Sequence, residues 1–231
     1  AKGAEVVDAT GLLVYPGFID AHSHLGLDGY GIGYEGMDYN ELNDIISPQL
    51  RGIDGFKPNQ PHLRHAALAG VTTVNTGPGS ADVLGGTFVA VKTVGMRADD
   101  MVVRMETSMK CAFGENPKRV YRDKGDSTRM STAAKLRETL FKAREYADKK
   151  KAAKDDPTKA PGFDMKLEAL LPVINKEMPL KAHAHATEDI FTALRIAKEF
   201  DVDITLEHVT EGHLIAEDLA REGVPLAIGP S

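Results

Sequence analysis

The sequence predicts an α/β fold of parallel βαβ units, a (β/α)8 barrel of the TIM type that lacks its last strand. Three observations carry this. From residue 61 onward, short β-branched or apolar runs alternate with amphipathic stretches, the rhythm of strand and crossover helix. Seven strand candidates can be counted, one fewer than a closed eight-stranded barrel needs. Five of the eight histidines fall at the C-terminal ends of those candidates, the one rim where a barrel gathers reactive groups.

Residues 4–14 read as two short strands around a Thr10-Gly11 turn. Two strands alone are marginal in water, so this piece must pair with something else or pack on the barrel. Pro16-Gly17 interrupts the chain, and Phe18-Ile19 opens a buried strand that ends at His22-Ser23-His24. Residues 26–60, rich in Gly and Asp, read as a long loop with one helical turn near 40–46. A loop of that length in a compact domain is usually functional. Residues 61–69 read as a short helix stopped by Gly70. Strands follow at 71–74, 87–94 and 108–113, with a Gly-rich turn over 76–86; residues 101–105 stay open between strand and helix end.

The clearest helix spans residues 129–150, where Ala133, Leu136, Leu140, Ala143 and Ala147 recur at helical spacing. A polar connection leads to a second helix over 164–176, through Leu167, Leu170, Leu171 and Ile174. The last third alternates strand 179–184, helix 189–200, strand 203–206, helix 212–222 stopped by Gly223, and strand 224–228.

Composition excludes several classes. The 231 residues are 42% hydrophobic and 27% charged, as in a soluble protein with a real core. A net charge of −6 argues against nucleic acid as a partner. Cys111 is the single cysteine, which excludes a disulfide framework or a Cys-rich zinc module and favours a reducing, cytoplasmic compartment. No run of about twenty apolar residues is present, so no membrane span is expected. The start, Ala1-Lys2-Gly3-Ala4-Glu5, has no signal-peptide pattern and reads as a chain entered in the middle.

His22 and His24 are two apart, so in an extended strand both imidazoles point to one side, as a divalent metal requires. Two surface polar residues at a strand tip would show the same spacing, and the further histidines weigh against that. His183 and His185 end a later strand and His208 ends the next. His62, His65 and His213 lie on or before helices and read as exposed or capping residues. Two metals sharing a site need a bridging anion. Glu115, in Phe113-Gly114-Glu115-Asn116-Pro117, is the first candidate, and Lys110, after carbamylation, the second. Arg119 and Tyr121 follow as candidate substrate contacts. Gly31-Ile32-Gly33-Tyr34-Glu35-Gly36 matches the dinucleotide fingerprint, but the preceding strand ends several residues early, and Glu35 and Asp38 would repel a pyrophosphate.

Pro16-Gly17-Phe18-Ile19-Asp20-Ala21-His22-Ser23-His24 resembles the first-strand signature of the amidohydrolase superfamily. Gly70-Val71-Thr72-Thr73-Val74, Ala182-His183-Ala184-His185 and Glu207-His208 also fit it. Asp54-Gly55, Pro78-Gly79-Ser80-Ala81 and residues 113–117 resemble a subset of its imidazolonepropionase-like branch. The resemblance implies a distorted metal-dependent hydrolase barrel over residues 15–231, with residues 1–14 the remnant of a flanking β-sandwich. It implies one or two divalent ions, zinc first and iron or manganese next, and hydrolysis of a non-peptide amide or cyclic amide in a small molecule. His22, His24 and His183 match the family's first- and fifth-strand ligands. His208 matches a sixth-strand ligand or substrate contact, and His185 is placed beside the substrate, although the reverse order of His183 and His185 is open. The family's aspartate base, at the end of the eighth strand, is expected beyond residue 231. A non-catalytic relative that binds a small molecule is the competing reading, and a homo-oligomer is left open.

Overall fold

The computed structural model describes residues 3–29, 31, 33–124 and 127–229 as a mixed α/β fold. In chain order it contains β1 (Phe18–Ser23), α1 (Gly52–Gly55), α2 (Pro61–Leu68), β2 (Val71–Thr76), β3 (Leu84–Thr87), β4 (Val89–Lys92), α3 (Ala98–Met101) and β5 (Val102–Arg104). These are followed by β6 (Met109–Ala112), α4 (Glu115–Val120), α5 (Arg129–Ala152), α6 (Met165–Ile174), β7 (Leu180–Ala184), α7 (Thr187–Phe200), β8 (Ile204–His208), α8 (Ala216–Glu222) and β9 (Leu226–Ala227).

The strands form two sheets, ordered β1-β2-β4-β5 and β3-β6-β7-β8-β9, with no ladder between them. Among the described residues the sheets are therefore open and do not close into a barrel. The reason lies at Phe88. The expected single strand over 87–94 breaks there, so β3 pairs antiparallel with β6 while β4 pairs antiparallel with β2. Gly86 helps the chain change sheets: its φ is +104°, and a Cβ there would meet the Leu50 carbonyl oxygen at 2.3 Å. The parallel pairs expected from βαβ units are β1–β2, β6–β7, β7–β8 and β8–β9.

Other expectations also change. Residues 4–16 form no strand and most are exposed, because no partner strand lies beside them. No helical turn forms over 40–46; instead Ile46 and Arg51 bridge to Leu84 and Thr87, running the loop along β3. Residues 101–105 divide between the end of α3 and β5, and α4 was not expected. Gly33–Gly36 is a single 3-10 turn, not the long helix of a dinucleotide site; Ile32 lies outside the described residues.

The long helices form where their patterns place them. Thr128 accepts from the Ser131 amide while Ser131 Oγ accepts from the Thr128 amide, a reciprocal cap on α5. The α5 face Ala133, Leu136, Leu140 and Ala143 is buried against the larger sheet. Asp164 caps α6 and Pro61 stands in the first turn of α2.

The larger sheet has two chemically distinct faces. In its register Met109, Leu180 and Ile204 align, as do Cys111, Ala182 and Leu206, and these pack in the helix-side core. Side chains alternate along a strand, so the opposite face carries Lys110, Lys181 and Thr205, then Ala112, His183 and Glu207. Lys110 and Glu207 have no solvent exposure, and Lys181 and His183 are 4% exposed. Lys110, the second bridging candidate, is buried entirely.

Two predictions follow from the packing. Leu140 has no exposure in the main core, so Leu140→Ala should lower the unfolding free energy by about 2–5 kcal/mol in chemical denaturation. Tyr121 donates its hydroxyl to buried Asp82 Oδ1 at 2.5 Å. Burial pushes the Asp82 carboxyl from 3.8 up to about 7, against that hydrogen bond and with Glu41 adding to the rise. A carboxyl that titrates higher when folded binds its proton more tightly in the native state. Its contribution to stability is complete below pH 4 and is lost as pH rises through 7. Asp82→Asn should flatten the fall in melting temperature between pH 4 and 7; an identical pH profile would contradict this.

Candidate metal centre

Five imidazoles converge where β1, β7 and β8 end. The His22 ring centroid lies 5.3 Å from His24 and 5.0 Å from His208. His183 lies 4.6 Å from both His185 and His208, and His185 lies 4.9 Å from His208. Nitrogens of His183, His185 and His208 lie within 4.8 Å of one another, a group able to hold a metal ion. Phe88, at the break between β3 and β4, packs against His22 and His24 at 5.5 and 6.1 Å.

His208 reaches the cluster through strained backbone. It aligns with Ala184 and belongs by alternation to the helix side. His208 and Val209 instead adopt φ of +69° and +52°, which is unusual for any L residue and more so for a β-branched one. That left-handed turn carries the His208 ring over the rim.

Four of the five histidines are held by one nitrogen. His22 Nδ1 meets Glu207 Oε2 at 2.6 Å and His24 Nδ1 meets the Gly77 carbonyl at 2.7 Å. His185 Nδ1 meets Thr210 Oγ1 at 2.6 Å, and His183 Nε2 meets Asn116 Nδ2 at 3.1 Å. His22 Nε2, His183 Nδ1 and His208 Nδ1 are buried without a hydrogen-bond partner. For His22 and His24 the partner is an acceptor, so Nδ1 donates and Nε2 is left bare, which is how proteins prepare metal ligands; the Asn116 amide instead donates to His183 Nε2.

Burial and neighbouring charge lower four of the rings, His22, His24, His183 and His208. Burial, then the Lys110 ammonium, pulls His24 down to about 3; burial and the neighbouring His22 pull His208 down to about 4. His183 and His22 are lowered mainly by burial, in His22 against the Glu207 hydrogen bond. Neutral imidazole is the form that binds metal. Burial works against the Glu207 charge, but His22 and Lys181 outweigh it and hold the carboxyl at about 2. Lys181 Nζ lies 2.9 Å from Glu207 Oε2. Lys110 Nζ has no hydrogen-bond partner and lies 5.6 Å from the Phe88 ring centroid; burial draws it down to about 8.

The remaining candidates stand elsewhere. Glu115 opens α4 on the exposed side, beside Lys118, Arg119 and Arg122. In that turn its neighbour Asn116 reaches a histidine. Exposed Arg119 donates to Asn116 Oδ1 at 3.3 Å. Tyr121 is buried with its hydroxyl on Asp82. His65 and His213 are exposed, and His62 is half-buried on α2. Glu207, Lys181, Asn116 and Thr210 were not singled out beforehand. For the first two a signal existed, since a charge inside a strand covered on both faces needs a buried partner.

No protein-family model matches the sequence. The chain is 30% identical to amidohydrolase tasK of Hapsidospora irregularis over 247 residues, which cover 95% of this chain and a quarter of that protein. It superimposes on an amidohydrolase from Thermotoga maritima MSB8 with a TM-score of 0.95 and 40% identity, over all of this chain and 61% of that one. The chain thus spans only part of the length of either relative. Both are named amidohydrolase, and the two similarities support an amidohydrolase family for this chain.

Proposed function

We propose that the protein to which this chain belongs is a metal-dependent hydrolase that cleaves a non-peptide amide or cyclic amide bond in a small molecule. The observation that carries the reading is the convergence of five imidazoles with three buried, unpartnered ring nitrogens. The names of the two relatives agree with it.

The residues fit a divalent ion. His22, His24, His183 and His208 would hold it, with His185 beside His183 and His208, and zinc is the first expectation. When bound, such an ion supplies a Lewis acid for the carbonyl oxygen and lowers the pKa of water to about 7. The chain's own residues prepare that chemistry. Gly77 and Thr210 orient His24 and His185, and Asn116 orients His183. Phe88 packs against His22 and His24 on one side. For a second ion the bridging anion is assigned to carbamylated Lys110 rather than to Glu115, because Lys110 is buried, unpartnered and readily neutral, whereas Glu115 is exposed.

The same proposal includes closure of the two sheets into a (β/α)8 barrel, residues 1–14 as part of a β-sandwich, an imidazolonepropionase-like branch, and a cytoplasmic location. No helix of the described residues is long and apolar enough to cross a membrane.

A panel of N-acyl amines, lactams and hydantoins tests the reading, assayed with zinc-loaded and chelator-treated protein. The zinc-loaded protein should hydrolyse at least one class. His22→Ala/His24→Ala should lower kcat/KM by more than about 100-fold, since loss of even an outer-shell partner costs 10–100-fold. Equal hydrolysis by the chelated protein and the variant would overturn it.

A further inference from the structure

We propose that Glu207 and Lys181 form a positioning pair that decides which nitrogen of His22 faces the histidine cluster. The proposal rests on the metal-site reading above. Glu207 and Lys181 belong to the larger sheet, whereas His22 belongs to β1 of the smaller one. The Glu207 carboxylate has no solvent exposure and holds three donors. His22 Nδ1 and Lys181 Nζ reach Oε2 at 2.6 and 2.9 Å, and Thr205 Oγ1 reaches Oε1 at 2.7 Å.

An ionised carboxylate only accepts hydrogen bonds. Nδ1 of His22 therefore carries the proton. A second proton on Nε2 would be a buried donor with no acceptor, because that atom has no partner. The ring is thus neutral, with its Nε2 lone pair left over. Lys181 supplies the counter-charge that lets a carboxylate persist out of water. Its ammonium also donates to the Ala21 carbonyl at 3.2 Å, one residue before His22. The pair thereby holds both the ring and the strand that bears it, across a boundary no backbone ladder crosses. Lys110 Nζ has no hydrogen-bond partner and does not share this role. Glu207 and Lys181 act through His22, so they are positioning residues rather than catalytic ones.

Two double variants test this. Glu207→Leu/Lys181→Met replaces the ion pair by apolar groups of similar size, a change that buried pairs often tolerate, and removes the acceptor. Glu207→Gln/Lys181→Met also removes both charges but keeps an amide oxygen for Nδ1–H. Ring 15N shifts of His22 in the metal-free proteins read the tautomer, and cobalt(II) titration followed by absorption reads the affinity. Wild type and the Gln/Met protein should both show Nδ1 protonated. The Leu/Met protein should show His22 protonated on Nε2 or mixed, and should bind cobalt about 10–100-fold more weakly than wild type. An unchanged tautomer or an unchanged cobalt affinity in that protein overturns the proposal. Glu207→Met/Lys181→Met serves as a second acceptor-free protein should the first not fold. A wild type that binds no cobalt overturns the metal reading instead, and the ring spectra of the metal-free proteins still decide the tautomer.

Discussion

A carboxylate with no solvent exposure governs the centre of this molecule. Glu207 stays ionised because His22, Lys181 and Thr205 together satisfy both of its oxygens. Those three groups come from three different strands, β1, β7 and β8. The two sheets share no backbone ladder, so side-chain contacts such as these hold β1 in place beside β7 and β8. Removing any one partner would leave a buried charge or donor uncompensated, and such losses are among the largest single-site effects on stability.

The polar face of the larger sheet follows from the same constraint. Its strands are covered on one side by helices and on the other by Phe88 and β1, so neither face can be left to solvent. The helix side is apolar throughout. The inner side carries two ammonium groups against one carboxylate, and Lys110 is the group left without a partner. Burial draws Lys110 toward neutrality and, with repulsion from Lys110, lowers His24 and His183. A cluster of histidines in water would repel a cation at mildly acidic pH; here the rings are held in the form that attracts one. The left-handed backbone at His208 and Val209 is the conformational cost of bringing the fifth ring to the same rim.

Much of this was legible in the chain. The spacing of two between His22 and His24, and again between His183 and His185, places each pair on one side of a strand, and the structure brings all four together with His208. Helices α5 and α7 follow their apolar periodicity closely. What was not legible depends on tertiary partners. The break at Phe88 lies inside a β-branched run that reads as one strand, and its two halves part because β3 pairs with β6 while β4 pairs with β2. Residues 4–14 alternate like strands but lack a neighbour to pair with. Lys110 and Lys181 look like ordinary surface lysines until the register sets them on the same buried face as Glu207, one row of side chains away. Glu115 attracted notice by position after a strand, yet the turn at Gly114 sends Asn116 toward His183 and leaves Glu115 outside.

The central claim, that the histidine rim holds a divalent metal, is tested most directly by metal content. Inductively coupled plasma mass spectrometry on purified protein, beside His22→Ala/His24→Ala, would count the ions and name them. The account predicts one or two equivalents of zinc, iron or manganese in the wild type and their loss in the variant. Absence of metal from both, even after reconstitution, would contradict it.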